Sequence, residues 1–114
     1  MPYCEIITSR KVCSDSEILL SKEFVRIIEL IPGKSERWVM THIEDDARMC
    51  FAGNSDDACA MLTVKTFGEL TSPQYDMLTK EFCAAVSRLL NLSADRIYVT
   101  YQPIKNWGWN GENF

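Results

Sequence analysis

The stretch Tyr3-Cys4-Glu5-Ile6-Ile7-Thr8, entered through Met1-Pro2, decides the fold. Its run of β-branched residues reads as a strand. Ser14-Asp15-Ser16-Glu17 then opens a helix, with Ile18, Leu20, Phe24, Ile27, Ile28 and Ile31 near helical spacing. Pro32-Gly33 ends that helix as breaker and C-cap. Trp38 to Ile43 reads as a second strand, with Glu36-Arg37 just before it, and Glu44-Asp45-Asp46 as a polar turn. Met49 to Ala52 reads as a short strand ended by Gly53-Asn54-Ser55-Asp56-Asp57.

The plan then repeats. Ala58 to Thr66 is an apolar strand closed by Phe67-Gly68. Ser72-Pro73 supplies an N-cap and a proline at the first helical position. Leu78, Phe82, Val86, Leu89 and Leu90 form one apolar stripe. Arg96 to Tyr101 is the closing strand, preceded by Asp95 as its counterpart is preceded by Glu36-Arg37. An aromatic, turn-rich tail follows from Asn106 to Gly111. Two strand–helix–strand units joined by right-handed crossovers predict an α+β two-layer sandwich. It is a tandem βαβ pseudo-repeat, a four-stranded mixed sheet with both helices on one face. The strands read as too apolar for the other face to stay wet, so other subunits are expected to cover it.

Composition narrows the function. The chain has 114 residues, which predicts a single domain, and a net charge of −4. No Lys/Arg cluster offers a surface for phosphates, so a nucleic-acid partner is not expected. No apolar run is long enough to span a bilayer, and no secretory signal opens the chain. Cys4, Cys13, Cys50, Cys59 and Cys83 form no CxxC pair, and with His42 alone no zinc set assembles. Neither metal nor cofactor is expected. Buried, reduced thiols are the simplest reading, and His42 reads as a structural histidine in a strand.

Pro2 carries the chemistry. A mid-chain proline has neither a donor nor a basic nitrogen. With Met1 removed, the Pro2 nitrogen is a secondary amine at the head of an apolar strand. Such an amine, brought toward neutrality by burial or a nearby cation, can shuttle protons.

Taken in order, Met1-Pro2, Gly33-Lys34, Phe51-Ala52-Gly53-Asn54-Ser55, Phe67-Gly68, Asp95-Arg96-Ile97-Tyr98 and Trp107-Gly108-Trp109-Asn110-Gly111-Glu112-Asn113-Phe114 resemble the macrophage migration inhibitory factor family of the tautomerase superfamily. The resemblance covers residues 1–114. It implies a homotrimer with active sites between subunits, and keto–enol tautomerisation of phenylpyruvates or isomerisation of dopachrome derivatives. A small aromatic 2-oxo acid is the implied substrate.

By this resemblance Pro2 is the catalytic base and Lys34 its cationic partner. Tyr3, Phe67, Trp107, Trp109 and Phe114 match pocket-wall positions, and Tyr98 would come from a neighbouring chain. Aromatic walls suit an arylpyruvate ring, and a cation suits its carboxylate or developing enolate. Three positions depart from the pattern. Thr100 stands where the best-known members have asparagine, Trp107 replaces a smaller residue, and Leu62 leaves the CxxC of the vertebrate cytokine incomplete. The location implied is cytoplasmic, or outside the cell without a signal peptide. The alternative implied function is a secreted cytokine-like ligand for a cell-surface receptor.

Overall fold

The computed structural model describes residues 2–114. Strand β1, Tyr3–Thr8, alternates strictly: Cys4, Ile6 and Thr8 are buried, whereas Tyr3, Glu5 and Ile7 are part-exposed on the other face. The one polar side chain on the buried side, Thr8, is satisfied. Its hydroxyl donates to the Cys59 carbonyl at 2.8 Å and accepts from the Arg10 N–H at 3.1 Å.

Helix α1 runs Ser14–Ile28 and buries Leu20, Phe24, Ile27 and Ile28. It stops before the expected Ile31 because the chain tightens to i→i+3 bonding, Leu30 N–H to Ile27 and Ile31 N–H to Ile28. Gly33, at φ +84°, then turns the chain. Glu36–Trp38 coil into a 3-10 turn, so strand β2 is Met40–Glu44 and not Trp38 onward. The Met49–Ala52 segment is no strand; it contributes one bridge, Phe51 to Asn54.

Strand β3 is Ala60–Phe67, and helix α2 is Ser72–Leu90. The N-cap of α2 is Thr71 rather than Ser72. Thr71 accepts from the Gln74 N–H while Gln74 reaches back to the Thr71 N–H, a reciprocal box that satisfies two otherwise orphaned donors. A second 3-10 turn, Ala94–Arg96, leads into β4, Ile97–Ile104. The tail folds into a hairpin of β5, Gly108–Trp109, and β6, Glu112–Asn113, around Asn110-Gly111 at φ 52° and 84°.

The main sheet has the order β2-β1-β3-β4. β1 and β3 pair antiparallel at the centre, and each has its crossover partner parallel on the outside. The two βαβ units therefore meet back to back, as the repeat predicts. Both helices pack on one face, where Phe24 of α1 meets Phe82 of α2 edge-on at 5.4 Å.

The opposite face departs from expectation. Residues opposite one another in register share a face, and here the rows are Met40-Tyr3-Lys65-Gln102, His42-Glu5-Thr63-Thr100 and Glu44-Ile7-Met61-Tyr98. This face is amphipathic, not apolar, because the apolar character of each strand is concentrated in its alternate, helix-facing residues. His42 lies here, bonded through Nδ1 to the Tyr3 hydroxyl at 2.8 Å. The cysteines correct the expectation in part. Cys4 and Cys59 are buried and Cys83 half-buried, but Cys13 and Cys50 are exposed.

Candidate active site

A cavity of about 530 Å³ opens at the end of the sheet where β1 begins, within the size range of small-molecule sites. Pro2, itself buried, forms part of its wall. The Pro2 carbonyl accepts the Met40 N–H at 3.1 Å, which fixes the start of β1 against β2. Tyr3 and Glu5 from β1 and Lys65 from β3 also line it. The tail contributes Trp107 and Trp109, and the 3-10 turn before β2 contributes Arg37 and Trp38. All three tryptophans of the chain thus face one cavity.

Ring packing holds the tail in place. Trp38 meets Trp109 edge-on at 5.0 Å and Phe114 edge-on at 6.0 Å. Phe114 stacks on Trp109 at 6.2 Å and touches Phe67 at 5.9 Å. Each such pair contributes about 0.5–1.5 kcal/mol beyond the area it buries. The Phe114 N–H closes the hairpin onto the Trp107 carbonyl at 3.0 Å.

The polar groups are arranged asymmetrically. The Tyr3 hydroxyl lies 2.9 Å from Glu5 Oε2, to which it can donate, and 2.8 Å from His42 Nδ1. Burial, and then the hydrogen bond to Glu5, raise the Tyr3 pKa above the ordinary tyrosine value, so the group stays a neutral phenol. The cations are held against rings. The Arg37 guanidinium lies 4.7 Å above Trp38, and Lys65 Nζ lies 5.6 Å from the Tyr3 ring centre. No set of His, Cys, Asp or Glu among the described residues is placed to hold a metal ion.

Of the residues singled out from the sequence, Pro2, Tyr3, Trp107 and Trp109 line this cavity together. Phe114 joins them by stacking on Trp109. Phe67 touches Phe114 and lines a separate hollow with Pro103 and Ile104. Tyr98 lies elsewhere. It pairs with Met61, four residues along β3 from Lys65 and so about 13 Å away at strand rise, and it packs on Phe51 at 4.7 Å. Lys34 sits on the turn after α1 and is not among the lining residues. The fate of Met1 lies outside the described residues.

Sequence reading missed Arg37, Trp38, Lys65 and Glu5 as site residues. Trp38 read as the first residue of a strand and Arg37 as the residue before it. Only the fold shows that this turn meets the tail. The signal available was the pairing of Arg37 with Arg96 in corresponding segments of the repeat.

Comparisons with known proteins agree with this architecture. The family model of macrophage migration inhibitory factor (MIF) matches residues 1–114. Macrophage migration inhibitory factor of Xenopus laevis is 35% identical over 118 residues, covering 100% of this chain and 99% of the relative, and that of Meriones unguiculatus is 32% identical over 116. Among solved structures, Leishmania major MIF2 superposes with a TM-score of 0.93 at 32% identity, covering 100% of this chain and 97% of the other. The Prochlorococcus marinus homologue superposes at 0.87 and 31%, covering 98% of each. The chain belongs to the macrophage migration inhibitory factor family and has its tautomerase fold.

Proposed function

We propose that the protein is a keto–enol tautomerase of phenylpyruvate-type 2-oxo acids, with dopachrome-type isomerisation as a related activity, and that Pro2 is its general base once Met1 is removed. The observation that carries this reading is the position of Pro2. It is a buried residue at the head of β1, in the wall of a cavity that Tyr3 and all three tryptophans also line. The neutral amine takes a proton from the carbon beside the keto group. The electron pair moves to the keto oxygen, and the same proton, now on the ammonium, returns to that oxygen to give the enol. Positive charge near the amine favours its neutral, proton-accepting form. Trp107 and Trp109 hold the ring and exclude water.

The resemblance gives Lys34 the role of cationic partner; it stands three residues before Arg37 in the chain. The active assembly is a homotrimer in which Tyr98 of one chain completes the pocket of another, in keeping with its place far from Pro2 within one chain. Pro2→Gly, with its N-terminus verified by mass spectrometry, should lose about 10²–10⁴-fold in tautomerase turnover with an unchanged circular dichroism spectrum. Undiminished turnover would place the base elsewhere.

A second reading is favoured by the relatives' own name, which describes an effect on macrophage migration. Here the protein acts outside the cell as a cytokine-like ligand. Macrophage migration that responds equally to wild type and Pro2→Gly would separate that activity from the chemistry.

A further inference from the structure

Arg37 has its charge available. Among the described residues its guanidinium makes no hydrogen bond and no ion pair; it rests only on the face of Trp38. It is exposed, whereas Pro2 at the reacting end of the cavity is buried. Lys65 likewise has no carboxylate partner among the described residues, and it stacks on Tyr3, the residue next to Pro2. The carboxylate that shares the cavity, Glu5, is already engaged by the Tyr3 hydroxyl and His42. A chain of net charge −4 therefore places in the lining of one aromatic cavity two cations that have no carboxylate partner among the described residues, one over Trp38 and one over Tyr3.

A monoanionic arylpyruvate uses only one of them. Its 2-oxo acid end must lie at Pro2, where the proton moves and where Lys65 is close by through Tyr3. Arg37 is exposed and lies over Trp38, a wall of the same cavity, so it is the cation left for the ring end. We propose that Arg37 is a specificity-determining residue that recognises a second acidic group on the ring end of the substrate, so that the preferred substrate class is an aromatic 2-oxo acid bearing a further carboxylate. A guanidinium held over a ring face keeps its N–H groups free for two-point contact with a carboxylate. This inference rests on the tautomerase reading, and its test separates the two.

The test compares 4-carboxyphenylpyruvate with phenylpyruvate in the wild type, Arg37→Gln and Lys65→Met. The wild type should show the higher kcat/KM on the diacid. Arg37→Gln should cut the diacid-to-monoacid ratio about tenfold, the worth of one charge-assisted contact, whereas Lys65→Met should weaken both substrates alike and leave the ratio in place. An equal loss on both substrates in Arg37→Gln, or an unmoved ratio, overturns the proposal.

Binding of the unreactive pair 4-carboxyphenylacetate and phenylacetate, read by tryptophan fluorescence, supplies the second arm, since all three tryptophans line the cavity. Selective, Arg37-dependent binding of the diacid without turnover of either oxo acid would sink the tautomerase reading and keep the role of Arg37. Turnover without that selectivity would do the reverse.

Discussion

Arg37 and Arg96 stand in corresponding segments of the two halves of the molecule, each in the 3-10 turn before the last strand of its βαβ unit. Their surroundings differ completely. Arg96 donates from Nε to the Ala58 carbonyl at 3.0 Å and from Nη1 to Phe51 at 3.2 Å. Its Nη2 reaches Asn54 at 2.9 Å and Asp57 at 3.1 Å, and the guanidinium lies 5.3 Å from the Phe51 ring. Arg37 lies over a ring and makes no side-chain hydrogen bond or ion pair among the described residues. Each half supplies an arginine in the turn before its last strand, as the middle residue of the first turn and the last residue of the second. What differs is the segment that passes over it: before β3 a loop that turns its carbonyls inward, and at the tail a hairpin that turns in Trp109 and Phe114. The frame is duplicated, and the covering segments divide the two copies between structure and recognition.

The widest test of that division is thermal. Arg96→Ala should lower stability by about 2–3 kcal/mol, because several charge-assisted bonds vanish while the freed carbonyls regain water only in part. Arg37→Ala should stay within about 0.5 kcal/mol of wild type, as surface changes usually do. Melting curves at one fixed protein concentration decide it. Equal destabilisation by the two variants would abolish the contrast.

A smaller effect belongs to the structural half. Tyr101 of β4 bonds Thr79 of α2 at 2.7 Å, and burial pushes its phenol up to about 12. Its ordinary value is about 10. A raised folded pKa means that the contribution is intact below pH 10 and is lost as pH rises through about 12. Denaturant titrations should therefore show stability falling across that window, with a shallower fall for Tyr101→Phe. The part due to Cys4, whose thiol burial also raises to about 12, should remain. An identical alkaline limb in the variant would show that Tyr101 titrates normally.

The smallest effect compares one thiol from each half. Hydrogen bonding with Ser16 lowers the Cys13 pKa at the head of α1, whereas burial raises that of Cys83 within α2. Peptide mapping after brief alkylation near pH 8 should find Cys13 modified well ahead of Cys83. The reverse order would mean that α2 opens more readily than its packing implies.

The sheet and helices were legible because their signals are local. Ile6-Ile7-Thr8 announces a strand, and Pro32-Gly33 and Ser72-Pro73 punctuate the helices. Errors gathered where the next contact decides the local structure. Trp38 has the composition of a strand residue, yet it coils into a turn that meets the tail. Thr71 takes the cap from Ser72 because Gln74 stands three residues after it, completing the box. The open sheet face looked apolar only because both faces were read together.

The site was legible in the same uneven way. Pro2, Trp107 and Trp109 were marked by sequence and resemblance, and the fold brings them together. Arg37 and Lys65 carry no local mark. A lone cation in a strand or turn gains its meaning from which segment lies across it.

The loop that Arg96 gathers has a consequence for the conditions under which it keeps its shape. Four carbonyl oxygens converging on one positive charge are the arrangement with which many loops hold a calcium ion. Here the ion is part of the chain. It is tethered to β4, it cannot be diluted away or stripped by a chelator, and its effective concentration does not depend on the medium. The loop from Phe51 to Ala58, and the Phe51 ring on which Tyr98 rests, therefore keep one geometry in calcium-rich and calcium-poor surroundings alike.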